Sequence, residues 1–94
     1  MMRKIRYTNQ FKKDYRRVKK SGKYQKLDAM LDKTISMLVR DEPLPRRYYD
    51  HELEGEWDDH RDCHIKPDLV LIYSKPTIKL LNLVRLGSHS QLSL

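Results

Sequence analysis

Five consecutive apolar residues, Leu69-Val70-Leu71-Ile72-Tyr73, constrain the fold of this chain more than any other feature. A strand that is apolar at every position has no face suited to water, so it belongs in the middle of a sheet, covered on both sides. Turns bracket it: Lys66-Pro67-Asp68 before, where Pro67 presets φ, and Lys75-Pro76-Thr77 after. Residues 57–65 are polar and alternating, as in a strand with one wet face, and residues 78–86 read as the last strand. Turns this short make the three strands antiparallel neighbours.

The first half of the chain supplies the cover. Residues 3–7 alternate and read as a first strand, and Thr8 is placed to cap a helix. In that helix Phe11, Tyr15 and Val18 form one apolar stripe, opposite Lys12, Lys13, Arg16, Arg17, Lys19 and Lys20. Gly22 suits the left-handed position that ends it. A second helix is expected over residues 24–41, where Leu27, Met30, Leu31, Thr34, Ile35 and Leu38 recur at helical spacing before Pro43 and Pro45. Residues 44–56 read as irregular, and Gly87 opens a short polar tail. The expected architecture is a single α+β domain over residues 1–94. Its order is β-α-α-β-β-β, a mainly antiparallel sheet with a helical hairpin on one face. The other face is expected to stay accessible and to carry function.

A chain of 94 residues has room for one two-layer core. No apolar stretch approaches the ~20 residues of a membrane span, and Met1-Met2-Arg3-Lys4-Ile5-Arg6 has no apolar signal region. Cys63 is the only cysteine, which excludes an internal disulfide; its alternation with His64 points it to the core. A cytoplasmic location is expected. The net charge of +7 is uneven: residues 1–47 carry 15 basic and 5 acidic side chains, residues 48–94 carry 5 and 8. A basic half of this kind suits a nucleic-acid partner.

Four residues can do chemistry together. His64 and Asp68 flank one turn, His51 lies in the loop leading into that hairpin, and His89 follows the strand that returns to the same end. RNA carries its own nucleophile, so cleavage needs a base for the 2′-hydroxyl, an acid for the leaving 5′-oxygen and a cation for the phosphorane. Histidines supply the proton transfers near neutral pH, and Arg85 is a suitable phosphate partner. His60 reads as a surface histidine and Arg61-Asp62 as a structural ion pair. The same four residues are also legitimate zinc ligands, although no pair has the spacing of a recognised metal motif and the arginines oppose a divalent cation. Spacing alone leaves structural histidines, a zinc site and an acid–base cluster all open. The expectation is no metal and no cofactor.

These residues stand in pieces that resemble a known family. The pieces are Tyr7-Thr8-x-x-Phe11-x-x-Asp14, Leu44-Pro45, Tyr49-Asp50-His51-x-Leu53-x-Gly55 and Trp57. They continue with Arg61-Asp62-x-His64-Ile65-x-Pro67-Asp68-Leu69-x-Leu71-Ile72-Tyr73 and Arg85-Leu86-Gly87-Ser88-His89. The ordered set resembles the YafQ-like branch of the RelE/ParE superfamily of type II toxins. The resemblance implies a ribosome-dependent mRNA endoribonuclease that works without metal through 2′-hydroxyl attack. It implies catalytic roles for His51, His64, Asp68 and His89: His89 as general acid, Asp68 with His51 activating the 2′-hydroxyl, and His64 orienting the phosphate or stabilising its charge. Arg85 would contact that phosphate. The six basic residues of the first helix would bind 16S ribosomal RNA. A RelB/DinJ-like antitoxin is implied, with operator DNA reached only through the antitoxin complex. The alternatives are a ParE-like poison of DNA gyrase, or a degenerate module that only binds antitoxin. One departure stands out. Family members usually carry an aromatic residue shortly after the last histidine, where this chain has Ser90-Gln91-Leu92-Ser93-Leu94. Trp57 or Tyr73 could substitute, but nothing in the sequence shows that either does.

Overall fold

In the computed structural model, which describes residues 2–94, the apolar run becomes β4 (Leu69–Ser74), buried along its whole length. It is the middle strand of five, in the order β1-β5-β4-β3-β2. β1 (Lys4–Tyr7) lies parallel to β5 (Leu80–Gly87), and all other pairs are antiparallel, including β3 (Arg61–Lys66) and the two-residue β2 (His51–Glu52). The α+β layering is as expected. Helices α1 (Asn9–Ser21) and α2 (Leu27–Val39) cover one face, where Phe11, Val18, Leu31 and Leu38 pack with Cys63, Leu71, Tyr73 and Leu83. No helix among the described residues is long and apolar enough to cross a membrane.

Local chemistry sets the helix ends. Thr8 Oγ1 accepts the Phe11 N–H at 3.0 Å, and Gly22 ends α1 at φ 67°, where its N–H donates to the Lys19 carbonyl. The second helix starts three residues later than its periodicity suggests, because Lys26 is left-handed at φ 58° and cannot extend it. The strand expected from residue 57 begins only at Arg61. Residues Gly55–Trp57 form a 3₁₀ turn, with left-handed backbone at its first residue, Gly55, and again at Asp59.

α1 also finishes the sheet. β1 pairs only with Leu80–Leu83 of β5, leaving the rest of that edge without a strand. Side chains of the helix and its cap take over. Thr8 Oγ1 donates to the Val84 carbonyl at 3.0 Å, Asp14 Oδ2 accepts the Leu86 N–H at 3.0 Å, and Arg17 Nη2 donates to the Leu86 carbonyl at 3.1 Å. Val84 is an extra residue in this stretch: Leu83 faces Tyr73 and Arg85 faces Ile72. That bulge reverses the alternation of β5, so that Leu81, Leu83 and Leu86 all reach the helix-side core while Arg85 shares a row with Ile72.

The expected open face is partly closed. Val70 and Ile72 lie beneath Leu92, Leu53, Trp57 and Val84 in a second apolar cluster. The residues after Gly87 are therefore no loose polar tail: Leu92 is buried, and its N–H donates to the Ser88 carbonyl. At Gly87 the ends of two long side chains close in on the backbone. A Cβ there would stand 2.8 Å from Gln91 Oε1 and 3.0 Å from the Arg17 guanidinium.

Candidate active site

The tightly folded tail brings His89 back over the β3–β4 turn. Asp68 Oδ1 receives both the His89 backbone N–H at 3.2 Å and its ring Nδ1 at 3.0 Å. The His89 ring meets His64 edge to face, with centroids 4.9 Å apart. His64 in turn lies 6.4 Å from the His51 ring. The four residues singled out from spacing thus form one contiguous group on the face opposite the helices. His60 stays apart, packed edge-on against Trp57.

Two anchors hold His51. Its neighbour Asp50 accepts the Tyr73 hydroxyl at 2.6 Å and Arg61 Nε at 3.2 Å, tying the loop to the sheet. Its own Nδ1 stands 2.8 Å from the Tyr49 carbonyl, which can only accept. Nδ1 therefore carries the proton, and a neutral His51 presents Nε2 as a free base.

Asp62 joins the group unforeseen. The expected Arg61–Asp62 pair does not form, because adjacent strand residues point to opposite faces. Arg61 pairs with Asp50, whereas Asp62 lies in the same row as His51, buried, with its Oδ1 3.0 Å from His51 Nδ1 and 3.9 Å from His64 Nε2. His51 gives its hydrogen bond to Tyr49, so this oxygen accepts none among the described residues. Burial pushes the Asp62 carboxyl up, against the pull of three imidazoles. Burial also pushes His64 below its ordinary value, and the neighbouring His89 and His51 add to that. Asp68 moves the other way: the His89 side-chain hydrogen bond, then that of the His89 backbone, hold it below the usual carboxylate range. The i, i+2 spacing of Asp62 and His64 is the sequence signal that places them together.

Arg85 is less free than its sequence position suggests. Its Nε and Nη2 are 2.7 and 3.3 Å from the two oxygens of Asp14, a fully buried carboxylate that also takes Arg17 Nη1 at 3.0 Å. The guanidinium is fixed in place, with Nη1 outside this clasp. Of the basic residues on α1, Arg17 is committed to Asp14 and Lys19 to Asp28. Lys12, Lys13, Arg16 and Lys20 are exposed and make no ion pair among the described residues.

The two aromatic residues that could substitute are both engaged elsewhere, Tyr73 fully buried and Trp57 partly buried. Tyr73 is buried with its hydroxyl on Asp50, and Trp57 packs into the second apolar cluster. Nor do any three His, Cys, Asp or Glu side chains among the described residues converge to hold one metal ion. His51 and His89 each already commit Nδ1 to a protein oxygen.

Known proteins resemble this chain in sequence and fold. A family model described as the bacterial toxin of type II toxin–antitoxin systems, YafQ, matches residues 3–94. The mRNA interferase toxin YafQ of Escherichia coli K12 is 40% identical over 93 residues, covering 98% of this chain and 97% of its own. The crystal structure of the E. coli DinJ–YafQ toxin–antitoxin complex aligns with a TM-score of 0.84 at 38% identity, over 98% of each chain. A metal-bound toxin from Helicobacter pylori aligns with a TM-score of 0.85 at 41% identity, over 98% of this chain and 99% of its own.

Proposed function

The chain belongs to the YafQ family of bacterial type II toxins, and from that premise we propose that it is an endoribonuclease cutting mRNA on the ribosome by metal-independent acid–base catalysis. The observation that carries this reading is the contiguous His51–His64–His89–Asp68 group, in which two histidines have their Nδ1 atoms fixed by oxygen partners.

The proposed chemistry follows from those hydrogen bonds. His51 Nε2 takes the proton of the 2′-hydroxyl as the oxygen attacks phosphorus. His89, protonated and backed by ionised Asp68 at Nδ1, gives its Nε2 proton to the leaving 5′-oxygen. The P–O5′ bond breaks, leaving a 2′,3′-cyclic phosphate and a 5′-hydroxyl. The fit suits Asp68 to hold and charge-balance His89 more than to act as the base, since its Oδ1 already accepts twice from that residue. A neutral His64 donates to a phosphate oxygen between them, and Asp62 orients His51 and His64 from below. Arg85, held by Asp14, offers Nη1 to the charge that develops on the phosphorane. No step passes through a metal.

Ribosomal RNA is the proposed partner of α1. Replacing Lys12, Lys13, Arg16 and Lys20 with glutamine should weaken ribosome association and flatten its salt dependence, by roughly one unit of log–log slope for each phosphate no longer neutralised. At saturating ribosome concentration the rate of mRNA cleavage should change little. Sedimentation with ribosomes across a salt series checks this, and an unchanged slope would remove α1 from the interface. A RelB/DinJ-like antitoxin is the proposed regulatory partner, as DinJ is for the E. coli relative, with operator DNA contacted only through that complex.

The test of the function as a whole is cleavage of a translated mRNA in a purified system, with and without ribosomes and with EDTA. Cuts that need ribosomes and survive EDTA are expected. Intact mRNA, or cuts abolished by the chelator, would refute the proposal.

A further inference from the structure

Tyr48 and Tyr49 are neighbours in sequence with opposite fates. Tyr48 is buried under the sheet, while Tyr49 is 64% exposed. A single exposed aromatic ring needs no explanation by itself. This one is set apart by where it stands and how firmly it is held. Its ring lies 4.6 Å from His51 and 5.5 Å from His64, centroid to centroid. Its backbone is left-handed at φ 46°, held by an N–H bond to the Arg46 carbonyl at 2.9 Å and by its own carbonyl on His51 Nδ1. The ring therefore starts from a fixed point at the edge of the histidine group. Two cations stand just before it in the chain: Arg46 and Arg47 are exposed in the 3₁₀ turn, with the Arg47 guanidinium 5.1 Å from the centre of the Tyr48 ring. An open groove of about 510 Å³, lined by Arg47, His64, Ile65, Lys66 and Pro67, leads away from His64 on that side. The other largely exposed aromatic ring, Tyr7, is on β1 at the opposite edge of the sheet.

An exposed, anchored aromatic beside a row of cations is the arrangement that binds single-stranded nucleic acid: the ring takes a base and the cations take the backbone. We infer that Tyr49 is the stacking platform for the nucleobase of the nucleotide whose 2′-hydroxyl attacks. The assignment to that nucleotide rests on the proposed role of His51, since the base stacked on Tyr49 would bring its own ribose to the His51 side of the site. It also gives the chain a replacement for the aromatic that its tail lacks, in a loop before β2 instead of after β5.

The test uses a fully 2′-O-methylated octaribonucleotide, which has no nucleophile and cannot be cut, carrying 2-aminopurine at its centre. Titration with the wild-type protein at low salt should quench the 2-aminopurine fluorescence. Tyr49→Phe and Tyr49→Trp should retain the quench, and Tyr49→Ala should bind roughly 5- to 150-fold more weakly. In cleavage assays Tyr49→Ala should raise KM far more than it lowers kcat, and should relax the base preference on the 5′ side of the cut. Because the side chain is exposed, all three variants should unfold at the wild-type denaturant midpoint. Equal quenching and equal KM for wild type and Tyr49→Ala would overturn the inference while leaving the nuclease intact. No quenching by wild type would also overturn it. Absence of cleavage by the wild type would instead count against the proposed function, and the non-cleavable probe would still report on Tyr49.

Discussion

His89→Ala should slow single-turnover mRNA cleavage by roughly 10²- to 10⁴-fold, the usual contribution of one proton-transfer group. The side chain touches Asp68 and the His64 ring rather than the core, so its removal should leave the unfolding free energy within about 0.5 kcal/mol of wild type. Loss of activity without loss of fold is the signature of a residue that acts in the transition state. Asp68→Asn should give a smaller loss, because the amide can still occupy the position beside Nδ1 but no longer balances the charge of a protonated ring. A rate for His89→Ala within a few-fold of wild type would remove it as the general acid.

The second large effect concerns stability. Asp14→Leu should destabilise the protein by about 3–5 kcal/mol, because it strips the partner from a buried ionic cluster. The carboxylate serves Arg85 Nε at 2.7 Å, Arg17 Nη1 at 3.0 Å and the buried Leu86 N–H at 3.0 Å. Against a typical total of ~5–15 kcal/mol, such a loss is a large fraction of what holds a small domain folded. Urea unfolding measures it directly. Asp14→Asn keeps an acceptor and should lose less, and Arg85→Met in the Asp14→Leu background should recover part of the deficit by removing the orphaned charge. The cluster also sets an acid limit. Burial by itself pushes the Asp14 carboxyl up, but the hydrogen bonds of Arg85 and Leu86 and the two guanidinium charges outweigh it and hold the group below its ordinary value. A carboxyl depressed in the folded state binds protons less readily than in the unfolded chain. Its contribution is therefore present above about pH 4 and fades as pH falls through the folded value. Asp14→Asn should lack that portion of the acid destabilisation, and an unchanged acid profile would mean Asp14 is not ionised in the fold.

Features that depend on near neighbours are legible in the sequence. The run at Leu69–Tyr73 determines its own place because every position is apolar, and Thr8 and Gly22 mark the ends of α1 through bonds that span three residues. The histidine group can be anticipated because one turn, one loop and one returning strand all lead to the same end of a hairpin. What escapes depends on distant partners. Asp14 meets Arg85 across 71 residues, and only the bulge at Val84 puts Arg85 in the row of Ile72. Adjacency pairs Asp62 with Arg61, although strand alternation separates them and aligns Asp62 with His51. Leu92 reads as part of a polar tail because two leucines among Ser and Gln residues are too few to set a period, yet it closes the second face over Val70 and Ile72. Tyr49 differs from Tyr48 only by the left-handed turn that points the two rings apart, and no local pattern announces that turn.

In the proposed mechanism His51 and His89 carry out proton transfers on RNA that attacks itself. The chemical identity of the new ends tests this most directly. Wild-type protein acting on ribosome-bound mRNA in EDTA should leave a 2′,3′-cyclic phosphate upstream and a 5′-hydroxyl downstream of each cut, with no such ends above background for His89→Ala. A 5′-phosphate at the cuts, or cyclic-phosphate ends formed equally by His89→Ala, would contradict it.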